Sequence, residues 1–107
     1  MKQSIVQIDD VKRCFISKQT RGVDGSTLEK HHIMNGSLRK WADEEGLWVW
    51  LTPEMHRIIH ETSFGVLVQK NLLKQIAQYA FIMSKMPKEM VEQANEEWMG
   101  IVRRNYI

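Results

Sequence analysis

The sequence predicts an α+β fold, and three local patterns carry that prediction. Leu47-Trp48-Val49-Trp50-Leu51 is too apolar for a loop and too short for an independent helix, so it reads as a buried strand. Thr52-Pro53 follows at once, pairing an N-cap residue with the residue best tolerated at the first helical position. Farther along, Leu72, Leu73, Ile76, Ala77, Ala80 and Phe81 recur at three- and four-residue spacing, the mark of an amphipathic helix. The resulting order is strand, short helix, strand and helix, then two helices packed as a hairpin.

Taken from the amino terminus, Ser4–Ile8 and Arg13–Ser17 are β-branched or aromatic and read as strands or extended segments. Arg21–Thr27 holds two glycines and an Asp-Gly pair, the composition of a tight reversal. A strand then runs over Leu28–Ile33. Asn35-Gly36-Ser37 closes it, with Ser37 placed to cap a short helix, Leu38–Glu45, whose Leu38, Trp41 and Ala42 face inward and which Gly46 ends. Thr52 starts a helix carrying Met55–Glu61, with Glu54 in its first turn, and Phe64-Gly65 interrupts it. Pro87 breaks the long amphipathic helix, and Met90, Val91, Ala94, Trp98, Ile101 and Val102 mark a last one against the same core.

At 107 residues the chain has room for one domain, 1–107, around one core, which excludes a two-domain enzyme. Four Trp and 43% hydrophobic residues exclude a disordered chain. A mean hydropathy of −0.39 suits a protein that folds in water. The formal charge of +2 does not announce a nucleic-acid binder, so any polyanion site must be local. The single cysteine, Cys14, excludes an internal disulfide and a zinc knuckle built from several thiolates, and fits a reducing compartment. With no apolar run of signal-peptide or membrane-spanning length, the expected location is the cytoplasm, away from membranes.

The four histidines fall as two pairs, His31-His32 on a strand and His56 with His60 at i, i+4 on a helix. Four-residue spacing puts His56 and His60 on one helical face. Adjacent strand residues point to opposite sides, so His31 can join that face while His32 addresses a second target. If the strand end lies over the helix, His31, His56 and His60 form a metal site with an open position, and His32 is free as a base. Neutral imidazoles bind borderline first-row metals, and a neutral His can deprotonate water because its ordinary pKa of about 6.5 lies near working pH. The plainer alternative is histidines satisfied by carbonyls and carboxylates. Glu54 and Glu61 read as helix-end charges rather than ligands.

Cys14-Phe15-Ile16-Ser17, His31-His32-Ile33, Gly46–Arg57 and Arg103–Ile107, in that order, resemble small phage-encoded HNH nuclease-like proteins across nearly the whole chain. The resemblance implies a ββα-metal finger at about residues 28–62, followed by carboxy-terminal helices at about 66–102. It implies His32 as general base, His31 and His56 as metal ligands, and one divalent ion (Mg, Mn, Ni or Zn). Family members carry a zinc knuckle with ligands at the positions of Cys14, Ser17, Thr52 and Met55. Of these positions only Cys14 keeps the family's residue, so no structural zinc is expected, and Trp48, Trp50 and the Met-rich helices take over by packing. The family's middle Asn, expected near Leu47, is missing. Its His after a Gly-Val pair is Leu67 here; His60 either replaces it or is unrelated.

Lys30, Arg39, Lys40 and Arg57 flank the histidines and can meet DNA phosphates, or can simply be solvated beside Asp43, Glu44 and Glu45. Arg103 and Arg104 extend a basic edge or cap the last helix. Two functions follow as expectations. The first is a metal-dependent HNH-type endonuclease hydrolysing DNA. The second is an inactive HNH-like binding module, such as a phage inhibitor of a host nuclease or defence complex. An exposed apolar or aromatic patch, for example at Trp48, would favour the second.

Overall fold

The computed structural model describes residues 2–107 as a small two-stranded sheet with helices around it, an α+β arrangement. Strand β1 (Glu29–His32) pairs antiparallel with β2 (Trp48–Leu51), with His31 opposite Val49 and His32 opposite Trp48. Between them, a 3₁₀ turn at Gly36–Leu38 leads into α1 (Arg39–Glu45). Gly46 stops α1 at φ 78°, a left-handed conformation that costs glycine nothing, and its N–H reaches back to the carbonyls of Ala42 and Asp43.

Helix α2 (Pro53–Glu61) begins where the sequence says it should. Thr52 Oγ1 accepts from the Met55 N–H at 3.2 Å, satisfying one orphan donor of the first turn. Helix α3 (Ser63–Leu67), a wider π-helical turn (Val68–Leu73) and α4 (Lys74–Lys85) then run on without a loop, and α5 (Val91–Val102) returns against α4. Val49, Leu51, Ile33 and Leu47 meet Ile59, Leu73, Ala77, Phe81 and Trp98 in one buried cluster. Trp41 of α1 stands 5.6 Å from Phe81 and 5.9 Å from Trp98 between ring centroids. Such aromatic pairs each add about 0.5–1.5 kcal/mol beyond the area they bury. Trp41 thus ties α1 to the α4–α5 hairpin.

The structure departs from the sequence reading at several points. Neither Ser4–Ile8 nor Arg13–Ser17 forms a strand. Ser4 Oγ accepts from the N–H groups of Val6 and Gln7, which curls the first segment, and Gln7 Oε1 takes the Trp50 N–H that a strand partner would have taken. The second segment offers β2 one backbone bond, Phe15 N to Trp50 O at 2.8 Å, and then turns. Ser37 makes no side-chain cap, because it lies inside the 3₁₀ turn rather than before α1. Nor does Phe64-Gly65 interrupt α2. Thr62 does so with extended backbone, and its Oγ1 caps α3 through the Gly65 N–H at 2.8 Å. Glycine is needed at 65 because a Cβ there would collide with the Ile58 carbonyl.

Among the described residues no helix is long and apolar enough to cross a membrane.

Candidate metal centre

Strand alternation sorts the histidine pair on β1. Glu29 and His31 face α2, where Glu29 meets His56 and the His31 ring meets those of His56 and His60. Lys30 and His32 take the other face, where the Lys30 ammonium lies 4.0 Å from the Trp48 ring centroid. Helical spacing then puts His56 and His60 one turn apart on the side of α2 that meets the strand.

The outcome is a triad. The ring centroids of His31 and His56 are 5.3 Å apart, those of His31 and His60 5.5 Å, and those of His56 and His60 4.9 Å. One nitrogen from each ring lies within 4.8 Å of the other two, so the three histidines can jointly hold one metal ion. Nitrogens at about 2.0–2.1 Å from a tetrahedral ion stand about 3.4 Å apart, a distance small side-chain rotations can reach. Burial grades outward, with His31 1% exposed, His56 half-buried and His60 exposed. One wall of the site is thus buried, and the other is open to solvent.

Burial pushes His31 from its usual 6.5 down to about 4. A hydrogen bond to Gln69 opposes the shift, and the neighbouring His56, His60 and His32 add to it. At neutral pH His31 is therefore the uncharged imidazole that a metal requires.

Hydrogen bonds also engage one nitrogen of each of three rings. His56 Nδ1 lies 2.8 Å from a Glu29 carboxylate oxygen, so Nδ1 donates to it and Nε2 is the nitrogen left to face a metal. His32 Nδ1 lies 2.7 Å from Asp43 Oδ1, so this nitrogen donates to the carboxylate. His31 Nε2 lies 2.6 Å from Gln69 Oε1.

The sequence-predicted residues divide as follows. Lys30, Arg39 and all of His31, His32, His56 and His60 line one cleft of about 340 Å³, together with Asn35. Arg39 also approaches Asp43 at 3.9 Å. Lys40 lies instead beside Lys2, Asp43 and Glu44 in a separate depression, and Arg57 is exposed on α2 outside the residues lining the histidine cleft. Glu54 is no ligand: its carboxylate accepts the Val23 N–H and ties the 21–27 turn to α2. A larger depression of about 530 Å³, bounded by Gln7, Asp9, Lys12, Trp48 and Trp50, lies on the other face of the sheet and contains no histidine.

Sequence reasoning missed Glu29, Asp43 and Gln69. Asp43 was legible only as a charge offsetting nearby bases. Gln69 carries no local signal, since its partners His31 and Ile33 precede it by 38 and 36 residues.

No family model, curated protein or solved structure matches the chain.

Proposed function

We propose that this protein is a metal-dependent phosphodiesterase of the HNH type that acts on DNA. The observation that carries the reading is the shared cleft, in which a three-histidine donor set sits beside a His32–Asp43 pair, with Lys30 and Arg39 at its walls. Strands β1 and β2 pair across the α1 connection and lead into α2, with histidines on β1 and α2, and this layout supports the same reading.

A divalent ion on His31, His56 and His60 would polarise a phosphoryl oxygen and stabilise charge on the leaving oxygen. His32 Nε2 accepts the proton of the attacking water, while Asp43 holds Nδ1–H and steadies the imidazolium that forms. Lys30 and Arg39 contact phosphates and position the duplex without reading its sequence.

Supercoiled-plasmid cleavage after EDTA treatment, with Mg²⁺, Mn²⁺, Ni²⁺ or Zn²⁺ restored singly, tests the proposal. Metal-dependent nicking that disappears in a folded His32→Ala variant is expected. Folded wild-type protein that cuts with none of these metals overturns it.

A second reading, an inactive module that binds a protein partner, draws on a different observation. Phe64, Val66 and Leu67 of α3 are 73%, 46% and 56% exposed, while Trp48 is buried and offers no such patch. A partner complex that survives replacement of all four histidines by Ala would favour it.

A further inference from the structure

Gln69 is held at both ends of its amide. Its Nε2 lies 2.6 Å from the Ile33 carbonyl oxygen, and its Oε1 lies 2.6 Å from His31 Nε2. A carbonyl oxygen can only accept, so the Gln69 NH₂ must face Ile33 and its oxygen must face the histidine. The amide therefore cannot be flipped without placing two acceptors against each other. His31 Nε2 must then be the donor, and its lone pair sits on Nδ1.

Glutamine reaches this position because of the backbone that carries it. Residue 69 lies in the π-helical turn Val68–Leu73, between the regular helices α3 and α4. A π turn widens the helix and redirects the side chains on it, and such turns occur frequently at functional sites. Here the widened turn sends Gln69 back to the end of β1, where it bonds the backbone of Ile33 and the ring of His31 together.

From this geometry we propose that Gln69 is a positioning residue that selects the metal-binding nitrogen of His31: by accepting Nε2–H it leaves Nδ1 as the ligand atom. The proposal rests on the metal-centre reading above. It makes the site mixed, with His31 ligating through Nδ1 and His56, whose Nδ1 is held by Glu29, ligating through Nε2. Ligation through the two different nitrogens lets a short strand side and a helix side converge on one ion. A neutral amide behind one ligand and a carboxylate behind another also make the two unequal in basicity.

The test is long-range ¹H–¹⁵N correlation of the histidine rings at neutral pH, with the four rings assigned through the backbone, first without metal and then with Zn²⁺ alone. Metal-free wild-type protein is expected to show His31 as the Nε2–H tautomer. Added Zn²⁺ is expected to shift His31 Nδ1 and His56 Nε2 while Nε2–H of His31 persists. A Gln69→Glu variant, which keeps an acceptor opposite the ring, retains that tautomer. Gln69→Met, which does not, mixes the tautomers and weakens Zn²⁺ binding about 10–100-fold.

An Nδ1–H tautomer of His31 in the metal-free wild type overturns the proposal and leaves the metal centre standing, as does Zn²⁺ bound through His31 Nε2. Absence of any ring shift with Zn²⁺ overturns the metal centre, and this proposal with it. Because the decisive spectra are those of the wild type, a Gln69 variant that fails to fold does not blunt the test.

Discussion

His32 Nδ1 lies 2.7 Å from Asp43 Oδ1, joining the last residue of β1 to the middle of α1 across the connection that links the two strands. The contact holds one ring nitrogen and fixes the orientation of the ring. In a hydrolase of the kind proposed, Asp43→Ala should lower the rate of plasmid nicking about 10–100-fold, and His32→Ala about 100–10,000-fold, with circular dichroism unchanged in both. Equal nicking by the Asp43→Ala variant and the wild type would remove Asp43 from the mechanism.

Metal binding by the triad should appear as added stability, because the folded chain assembles the three rings and the unfolded chain does not. Zn²⁺ at a hundred times its dissociation constant should add about 2.7 kcal/mol, and EDTA should reverse the gain. The rise in melting temperature should be abolished or sharply reduced in His56→Ala and His60→Ala. If both variants gain as much as the wild type, the ion binds elsewhere.

Stability of the metal-free protein should depend on pH through His31. In the unfolded chain this ring titrates near about 6.5, and in the folded protein burial pushes it down to about 4. Between those values the unfolded state binds the extra proton, so stability is complete above the upper value and is lost as pH falls toward the lower one. The separation corresponds to about 3 kcal/mol. Urea midpoints measured in EDTA at pH 7 and near pH 4.5 should differ accordingly, and His31→Gln should flatten that dependence. Parallel profiles for the two proteins would contradict the assignment.

Gln78 is fully buried, and both ends of its amide are occupied. Nε2 donates to Asn95 Oδ1 at 2.7 Å and Asn105 Oδ1 at 2.9 Å, while Oε1 accepts the Tyr106 N–H at 2.7 Å. This amide ties α4 to α5 and to the carboxy-terminal tail. Gln78→Leu should cost about 3 kcal/mol in urea denaturation, because it strands polar groups inside the hairpin. Asn105→Ala should cost less, since its position is exposed and Asn95 still holds Gln78. A Gln78→Leu protein as stable as the wild type would show that water replaces the amide.

Much of the candidate site was legible because its signals are local. The i, i+4 spacing of His56 and His60 needs only a helix, and Thr52-Pro53 announces that helix. Opposite projection of His31 and His32 needs only a strand. The misread amino-terminal segments show the converse. Ser4–Ile8 has β-branched residues, but its backbone bonds depend on what β2 offers and on a serine that satisfies nearby N–H groups first. The resemblance to HNH nuclease-like proteins implied His31 and His56 as ligands, and the structure brings both together with His60.

By itself the sequence determined the order of strand, short helix, strand and helix over Glu29–Glu61, the start of α2, the stop at Gly46 and the pairing of histidines by face. These follow from caps, glycine conformations and side-chain periodicity within a few residues. Only the tertiary structure decided that β1 lies against α2 closely enough to unite His31 with His56 and His60. It also decided that Glu29, Asp43 and Gln69 stand behind His56, His32 and His31. The physical reason is range. A cap or an alternation is set by neighbours along the chain, whereas a hydrogen bond between a strand and a π-helical turn exists only after burial of Ile33, Ile59 and Leu73 has brought the two together.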